Sequence, residues 1–375
     1  MELDASLDWL SLVMTPGLGS RLAGKLLRQF GSPEGIFRAS LTELEACRLP
    51  AAPVRAIQSR RARKEAEAEL ERIRKLGCRL LNWDEPEYPQ RLLEIYDPPP
   101  LLYVRGDAGA LNRHSISMVG TRRPTPYGNQ VAERLGRDLA ERRLTIVSGM
   151  ARGIDSSAHQ GACRASHGAP VGVLGTGVDV IYPKENRKLF GEVEKRGALI
   201  SEFPLGAHPA PENFPVRNRI VAGMSLGVVV VQGAQYSGSL ITARLGMEFG
   251  REVYGIPGNI TADVSFAPNQ LIKQGAKLVT SWEDVVEELP TEVRAELFPV
   301  ETTTREERAS LFADQLSPLE KKVFGLLGLD ETVHVDELVE KSELTSSEVL
   351  AALCEMEMKG MVRQMPGKQF IKVLL

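Results

Sequence analysis

Five short stretches hold the residue types that could do chemistry. They are Val119-Gly120-Thr121-Arg122-Arg123, Ser148-Gly149-Met150-Ala151-Arg152-Gly153-Ile154-Asp155, Gly175-Thr176-Gly177 with Tyr182-Pro183-Lys184, Asn213-Phe214-Pro215-Val216-Arg217-Asn218-Arg219, and Ser237-Gly238-Ser239. Glycines let a backbone approach a ligand closely, hydroxyls and amides at a helix start accept anions, and arginines bind phosphate. Together with Phe214 these groups make the inventory of a phosphodiester groove with a base-stacking surface. Asp155 and His159 stand four apart and could share a helix face as an acid/base pair; the alternative is a cap and a packing residue. Glu202 has no second carboxylate or metal-ligand cluster beside it in sequence, so it reads either as a lone catalyst or as a structural hydrogen-bonding group. No G-x-x-x-x-G-K-[ST] occurs, and Gly175-x-Gly177 lacks the third glycine of a dinucleotide fingerprint, Val180 standing there.

The elements that must position these stretches follow from the apolar pattern. Apolar runs at Ile116–Val119, Leu144–Val147, Val171–Leu174, Leu199–Ser201, Gly227–Val231, Val253–Ile256 and Lys277–Val279 alternate with helical patterns. That alternation predicts a parallel sheet with crossover helices, whose ligands sit at the carboxyl ends of the strands. Ser148–Asp155 then reads as strand, glycine turn and helix start, a ready anion site. Upstream, Leu101–Val104 is expected as an edge strand, preceded by a connector rich in proline.

The flanks read as separate helical pieces. In residues 1–81, Pro16-Gly17-Leu18-Gly19-Ser20 followed by Arg21, Lys25 and Arg28 looks like a helix-hairpin-helix that could hold a DNA backbone, or a tight turn between packed helices. Arg55–Lys75 is expected as one charged helix. Residues 82–288 form the Rossmann-like domain, 289–316 a linker, and 317–375 three helices and a hairpin in a winged-helix arrangement. Its third helix carries Glu348, Glu355 and Glu357 against Lys359 alone, which favours protein docking over DNA reading.

Hydrophobic residues make up 43% and charged residues 25% of the 375, as in ordinary soluble chains. Residues 1–83 are net basic and 301–375 net acidic, so the two ends are expected to meet different partners. The start lacks a basic leader and an apolar h-region, and the apolar runs are short, so a cytoplasmic location without membrane spans is expected. Cys47, Cys78, Cys163 and Cys354 form no C-x-x-C pair, which points to neither a disulfide framework nor a metal site.

The ordered set Val119-Gly-Thr-Arg122, Ser148 to Asp155 with His159, Tyr182-Pro, Ser201-Glu202, Phe214-Pro-Val-Arg-Asn-Arg219, Ser237-Gly-Ser-Leu-Ile-Thr242 and Ile256-Pro-Gly258 resembles the DNA-processing protein A (DprA/Smf) family. The resemblance implies an α/β fold: an extended Rossmann-like parallel sheet core, an N-terminal helical (SAM-like, helix-hairpin-helix-like) domain and a C-terminal winged helix. It also implies a non-enzymatic protein of natural transformation and competence that binds and protects single-stranded DNA and loads RecA recombinase. A homodimer through the Rossmann-like domain is implied too, with the helix around Leu240–Phe249 a candidate face, and no cofactor or metal. By position, the DNA groove would be lined by Gly120, Thr121, Arg122, Ser148, Gly149, Arg152, Lys184, Phe214, Arg217, Asn218, Arg219, Ser237, Gly238 and Ser239. Departures are Gln232 for a usual Glu, Thr121 for a usual Ser, and Ala267-Pro268-Asn269 for a Gly-x-Asn pattern. The rival reading is a Rossmann-like nucleotide phosphoribohydrolase acting on nucleoside monophosphates, against which stands the missing Pro-Gly-Gly-x-Gly-Thr-x-x-Glu motif.

Overall fold

Nine strands form the central sheet, in the order β1-β2-β6-β5-β4-β3-β7-β8-β9, in a computed structural model that describes residues 3–298, 316–328, 332–359 and 361–372. The strands are β1 (Arg79–Asn82), β2 (Leu101–Gly106), β3 (Ser115–Val119), β4 (Thr145–Ser148), β5 (Val171–Val173), β6 (Ala198–Ser201), β7 (Gly227–Val230), β8 (Glu252–Gly255) and β9 (Lys277–Leu278). From β6 to β9 every pairing is parallel, while β1–β2 and β2–β6 are antiparallel. The chain enters at the centre with β3, winds outward through β4, β5 and β6, then returns to lay β7 on the other side of β3, with Val119 opposite Val230. The junction of β3, β4 and β7 is thus a topological switch point, where an open α/β sheet leaves a crevice.

Each inner strand is buried along its whole length, which is why the sequence shows continuous apolar runs there and no alternation. The crossovers are α8 (Pro126–Glu141), α9 (Ile154–Arg164), α10 (Arg187–Arg196), α11 (Asn213–Met224), α12 (Gly238–Glu248) and α13 (Phe266–Lys273). Local chemistry sets their starts: Thr125 caps α8 by accepting the Gly128 N–H, with Pro126 in its first turn, and Ser237 caps α12 by accepting the Ser239 N–H.

Six helices precede the sheet: α1 (Leu3–Val13), α2 (Ser20–Phe30), α3 (Pro33–Arg38), α4 (Leu41–Ala46), α5 (Ala51–Gln58) and α6 (Arg63–Leu76). They belong to the same unit as the sheet, because Leu7, Leu10 and Leu26 share one buried cluster with Tyr103, Leu199 and Leu205. A short α7 (Gln90–Leu93) lies between β1 and β2. After β9, α14 (Trp282–Glu287) and α15 (Thr291–Leu297) close the unit, and Val293 packs into the cluster holding Ile146 and Tyr254.

The structure differs from the sequence-based expectations in three places. Leu101–Gly106 is not an edge strand: β1, absent from the expectation, pairs antiparallel outside it. Four residues carry too little pattern to announce β1, and its partner lies across a proline-rich loop. The charged helix expected over 55–75 is broken at 59–62, where Arg60 adopts a left-handed φ of 49°. Residues 291–297, read as linker, are helical and packed on the sheet, and the remainder of that stretch up to 315 lies outside the described residues. Pro16–Ser20 forms the tight turn between packed helices that was one of its two readings, and the Ser20 hydroxyl at the start of α2 donates to Glu202 at 3.0 Å.

The second unit has helices Pro318–Leu326, Val335–Ser342 and Ser346–Met358 and a three-stranded sheet of Val333–His334, Gln369–Lys372 and Val362–Met365, in that spatial order. This is a winged helix around a core of Val323, Leu338, Leu353 and Phe370. Ser317 and Thr345 each form capping boxes with a glutamate three residues on, so Glu320 and Glu348 are spent on helix starts. Among the described residues no helix is long and apolar enough to cross a membrane.

Candidate nucleic-acid interface

At the switch point a cleft of about 630 Å³ opens above the ends of β3, β4 and β7. Three loops make its walls. The loop after β3 is fastened to the loop after β7 by the Thr121 N–H, which donates to the Gln232 carbonyl at 2.7 Å. The Gln232 side chain reinforces this tie by accepting from the Thr125 N–H at 3.0 Å and donating to the Thr125 hydroxyl at 2.9 Å. A glutamate could only accept, so the amide at this departure from the family pattern serves both ends of one contact. At 267–269 the asparagine that the Gly-x-Asn pattern shares is structural: Asn269 accepts from the Gly258 N–H and donates to its carbonyl.

The loop after β4 is satisfied from within. Asp155, in the first turn of α9, reaches back to accept the N–H groups of Gly149 at 3.0 Å and Ala151 at 3.4 Å. It caps the turn ahead of the helix, not the helix itself. The Gly149 carbonyl accepts from Arg217 at 2.7 Å, and the Met150 carbonyl from Asn186 at 2.9 Å. Two of its glycines are geometric necessities: a Cβ at Gly149 would overlap the Arg217 guanidinium, and Gly153 has φ 77° against the Thr121 carbonyl. Burial raises the Asp155 carboxyl, opposed by Arg217 and the two amides. His159, fully buried, is pushed down to about 4 by burial, opposed by the Ser148 backbone, and is neutral near pH 7. It is a core group, out of reach of a substrate.

Helix α11 supplies the rest of the cleft, and it separates residues that the sequence had grouped. Phe214, in its first turn, packs against Tyr182 with ring centroids 5.6 Å apart, while the Arg122 guanidinium lies 5.4 Å from the Phe214 centroid. Cation, ring and tilted ring form one cluster lining the cleft. Arg217 forms the floor: it is buried, donates to the carbonyls of Gly149 and Val173, and keeps its charge at neutral pH although burial pushes it down to about 10. Arg219 points elsewhere. Its two Nη atoms donate to Glu202 at 2.6 and 2.7 Å and its Nε donates to Asp97 at 3.1 Å, all with buried or nearly buried side chains. An arginine so engaged is held away from the cleft, whose lining does not include it, and Glu202 is its structural partner.

Of the expected groove residues, Gly120, Thr121, Arg122, Phe214, Arg217, Asn218, Ser237, Gly238 and Ser239 line this one cleft. Gly149 and Arg152 line a narrower pocket beside it, with Arg122, Tyr182 and Phe214. Arg152 is exposed and ion-paired with Glu185. Ser148 is corrected: it is fully buried and its hydroxyl donates to the Met118 carbonyl at 2.6 Å, a bond that ties β4 to β3. Lys184 is exposed and lies outside the lining of both. Arg123, Tyr182 and Ile241 also line the cleft; the first two stood in the stretches singled out from the sequence but not among the expected groove residues. The only carboxylate lining the cleft among the described residues is Asp155, already bound to amides, so the cleft is net positive. Among the described residues no cluster of metal-ligating side chains occurs.

Comparison with known proteins agrees with this geometry. The family described as DNA recombination-mediator protein A matches residues 79–290, and the DprA winged helix domain matches residues 307–368. The DNA processing protein DprA of Bacillus subtilis is 43% identical over 218 residues, 58% of this chain and 73% of its own length. Protein Smf of Escherichia coli is 37% identical over 308 residues, 81% of this chain and 80% of its own. Among solved structures, DNA processing protein A of Streptococcus pneumoniae aligns with a TM-score of 0.68 at 33% identity, covering 76% of this chain and 98% of that one. The single-stranded-DNA-binding DNA processing protein A of Helicobacter pylori aligns with a TM-score of 0.51 at 28% identity, covering 57% and 97%. With the family match spanning more than half its length and the winged-helix match following it, this chain belongs to the DNA recombination-mediator protein A family.

Proposed function

We propose that the cleft binds single-stranded DNA, with Phe214 and Tyr182 stacking on bases, Arg122, Arg123 and Arg217 supplying positive charge, and the Ser237-Gly238-Ser239 start of α12 receiving phosphate. The observation that carries this reading is the Arg122–Phe214–Tyr182 cluster lining a net-positive crevice. A base has a π-face whatever its identity, so such a cluster captures an unpaired strand with little regard to sequence, whereas a duplex keeps its faces hidden. In the cell the protein would act in the cytoplasm as a homodimer, shield DNA entering during natural transformation, and hand it to a RecA-type recombinase. The relatives named for DNA processing and the family's description as a recombination mediator support this part. The phosphoribohydrolase alternative needs a carboxylate free to act beside a glycosidic bond, and Asp155 is engaged with the Gly149 and Ala151 amides.

Titrating labelled oligo-dT and its duplex against the full chain at rising salt tests the proposal. The expected result is tighter binding of the single strand, falling steeply with salt. Equal affinity for the two would refute it.

A further inference from the structure

A second groove, of about 600 Å³, lies between α2 and Tyr96. Arg21, Lys25 and Arg28 recur at helical spacing along one exposed face of α2, rising about 6 Å and then about 4.5 Å along its axis, and the helix carries no acidic residue. None of the three has a carboxylate partner among the described residues: Lys25 donates to the Cys47 carbonyl, and Arg28 leans toward the Trp83 ring at 6.0 Å. By contrast Arg63, Arg72 and Arg74 of α6, in the same helical region, are each paired with a carboxylate. Facing the three cations is Tyr96, 61% exposed and backed by Phe249 at 6.3 Å.

Both walls of this groove are anchored to one buried cluster. Glu202 accepts from the Ser20 hydroxyl at the start of α2 and from both Nη atoms of Arg219, whose Nε donates to Asp97, the residue next to Tyr96. Buried ions cost desolvation, and what they return is fixed geometry. Here the fixed parts are the basic helix, the tyrosine and α11, which also places Phe214 and Arg217 in the cleft.

We propose that α2 and Tyr96 form a second phosphodiester site, in which Arg21, Lys25 and Arg28 meet the phosphates of a single strand and Tyr96 stacks on a base. The occupant is the part of the same strand that runs beyond the cleft. This rests on the reading of the cleft as a single-strand site, and strand length separates the two sites. In the full chain, Arg21→Gln with Arg28→Gln leaves the affinity for an oligo-dT of about six nucleotides within about twofold of the unaltered protein. The same variant weakens an oligo-dT of about forty nucleotides about tenfold and lowers its salt slope by about 1.4. Tyr96→Ala gives a similar loss for the long strand alone, and Arg21→Lys with Arg28→Lys restores it. Unchanged binding of the long strand, equal loss for short and long strands, or a loss seen only with duplex overturns the proposal. Failure of the cleft reading shows separately, as short-strand binding that Phe214→Ala leaves intact.

Discussion

Two turns at the switch point share one sequence description, strand, glycine with serine, helix, and differ in what they can offer a ligand. In Ser148–Asp155 the amides of Gly149 and Ala151 are taken by Asp155, the carbonyls by Arg217 and Asn186, and the serine hydroxyl by Met118. In Ser237–Ser239 all three residues line the cleft, and a Cβ on Gly238 would meet nothing within 4 Å. An anion needs donors that no protein group has claimed. The first turn is a keystone that holds β3, β4 and α11 together; the second keeps its hydrogen bonds within its own segment, Ser237 accepting the Ser239 N–H and the two hydroxyls lying 2.8 Å apart, so an anion in the cleft would displace only local bonds.

The contrast predicts that changes in the first turn are felt as stability and changes around the second as binding. The largest effect is expected for Asp155→Ala, which leaves two part-buried amides unpaired and costs roughly 2–4 kcal/mol of unfolding free energy in urea denaturation. A loss below about 1 kcal/mol would mean that the turn is not a keystone. Next is the pH dependence of stability from His159. Its folded pKa of about 4 lies below the unfolded value of about 6.5, so the unfolded chain binds the extra proton first. Its contribution is therefore complete above about pH 6.5 and is lost as pH falls toward 4, at up to about 1.4 kcal/mol per unit. Asp155, whose carboxyl is raised, acts in the opposite sense, and only around its own range. His159→Gln should flatten the profile between pH 6.5 and 4, and an unchanged profile would show that the imidazole is not the group responsible.

At the open side, Phe214→Ala should weaken single-strand binding about tenfold to a hundredfold, the worth of roughly 1–3 kcal/mol of stacking, with the melting temperature little changed. Arg122→Ala should weaken all sequences alike and reduce the salt slope by about 0.7, read from titrations at several ionic strengths. The smallest change is expected for Ser237→Ala, a cap loss of about 1 kcal/mol in unfolding free energy. If it instead destabilised the protein as much as Asp155→Ala, the distinction between the two turns would collapse.

The same helix teaches how far residue types can be trusted. Arg217 and Arg219 stand two apart in one motif, and their chemistry suggested one role. On a helix, positions two apart point about 200° from each other, so one arginine floors the cleft and the other is buried with Glu202 and Asp97. Spacing alone could have warned of the divergence, but not of which arginine faces the strand ends, because that depends on how α11 lies across the sheet.

Much of the architecture was legible because it is written locally. Continuous apolar runs with glycine-rich ends marked seven of the nine strands, and the carboxyl-end rule pointed to the cleft before any coordinates. Helical periodicity announced the three helices of the winged-helix unit and its hairpin, but not the short strand Val333–His334 that pairs with Gln369–Lys372. What only tertiary structure decided is everything that depends on a partner distant in sequence: the antiparallel pair β1–β2, the capture of the Ser20 hydroxyl by Glu202 across 182 positions, and the claiming of the 148–155 amides. Residue types state which groups can donate or accept; only the folded neighbours decide which of those groups are still unclaimed when a ligand arrives.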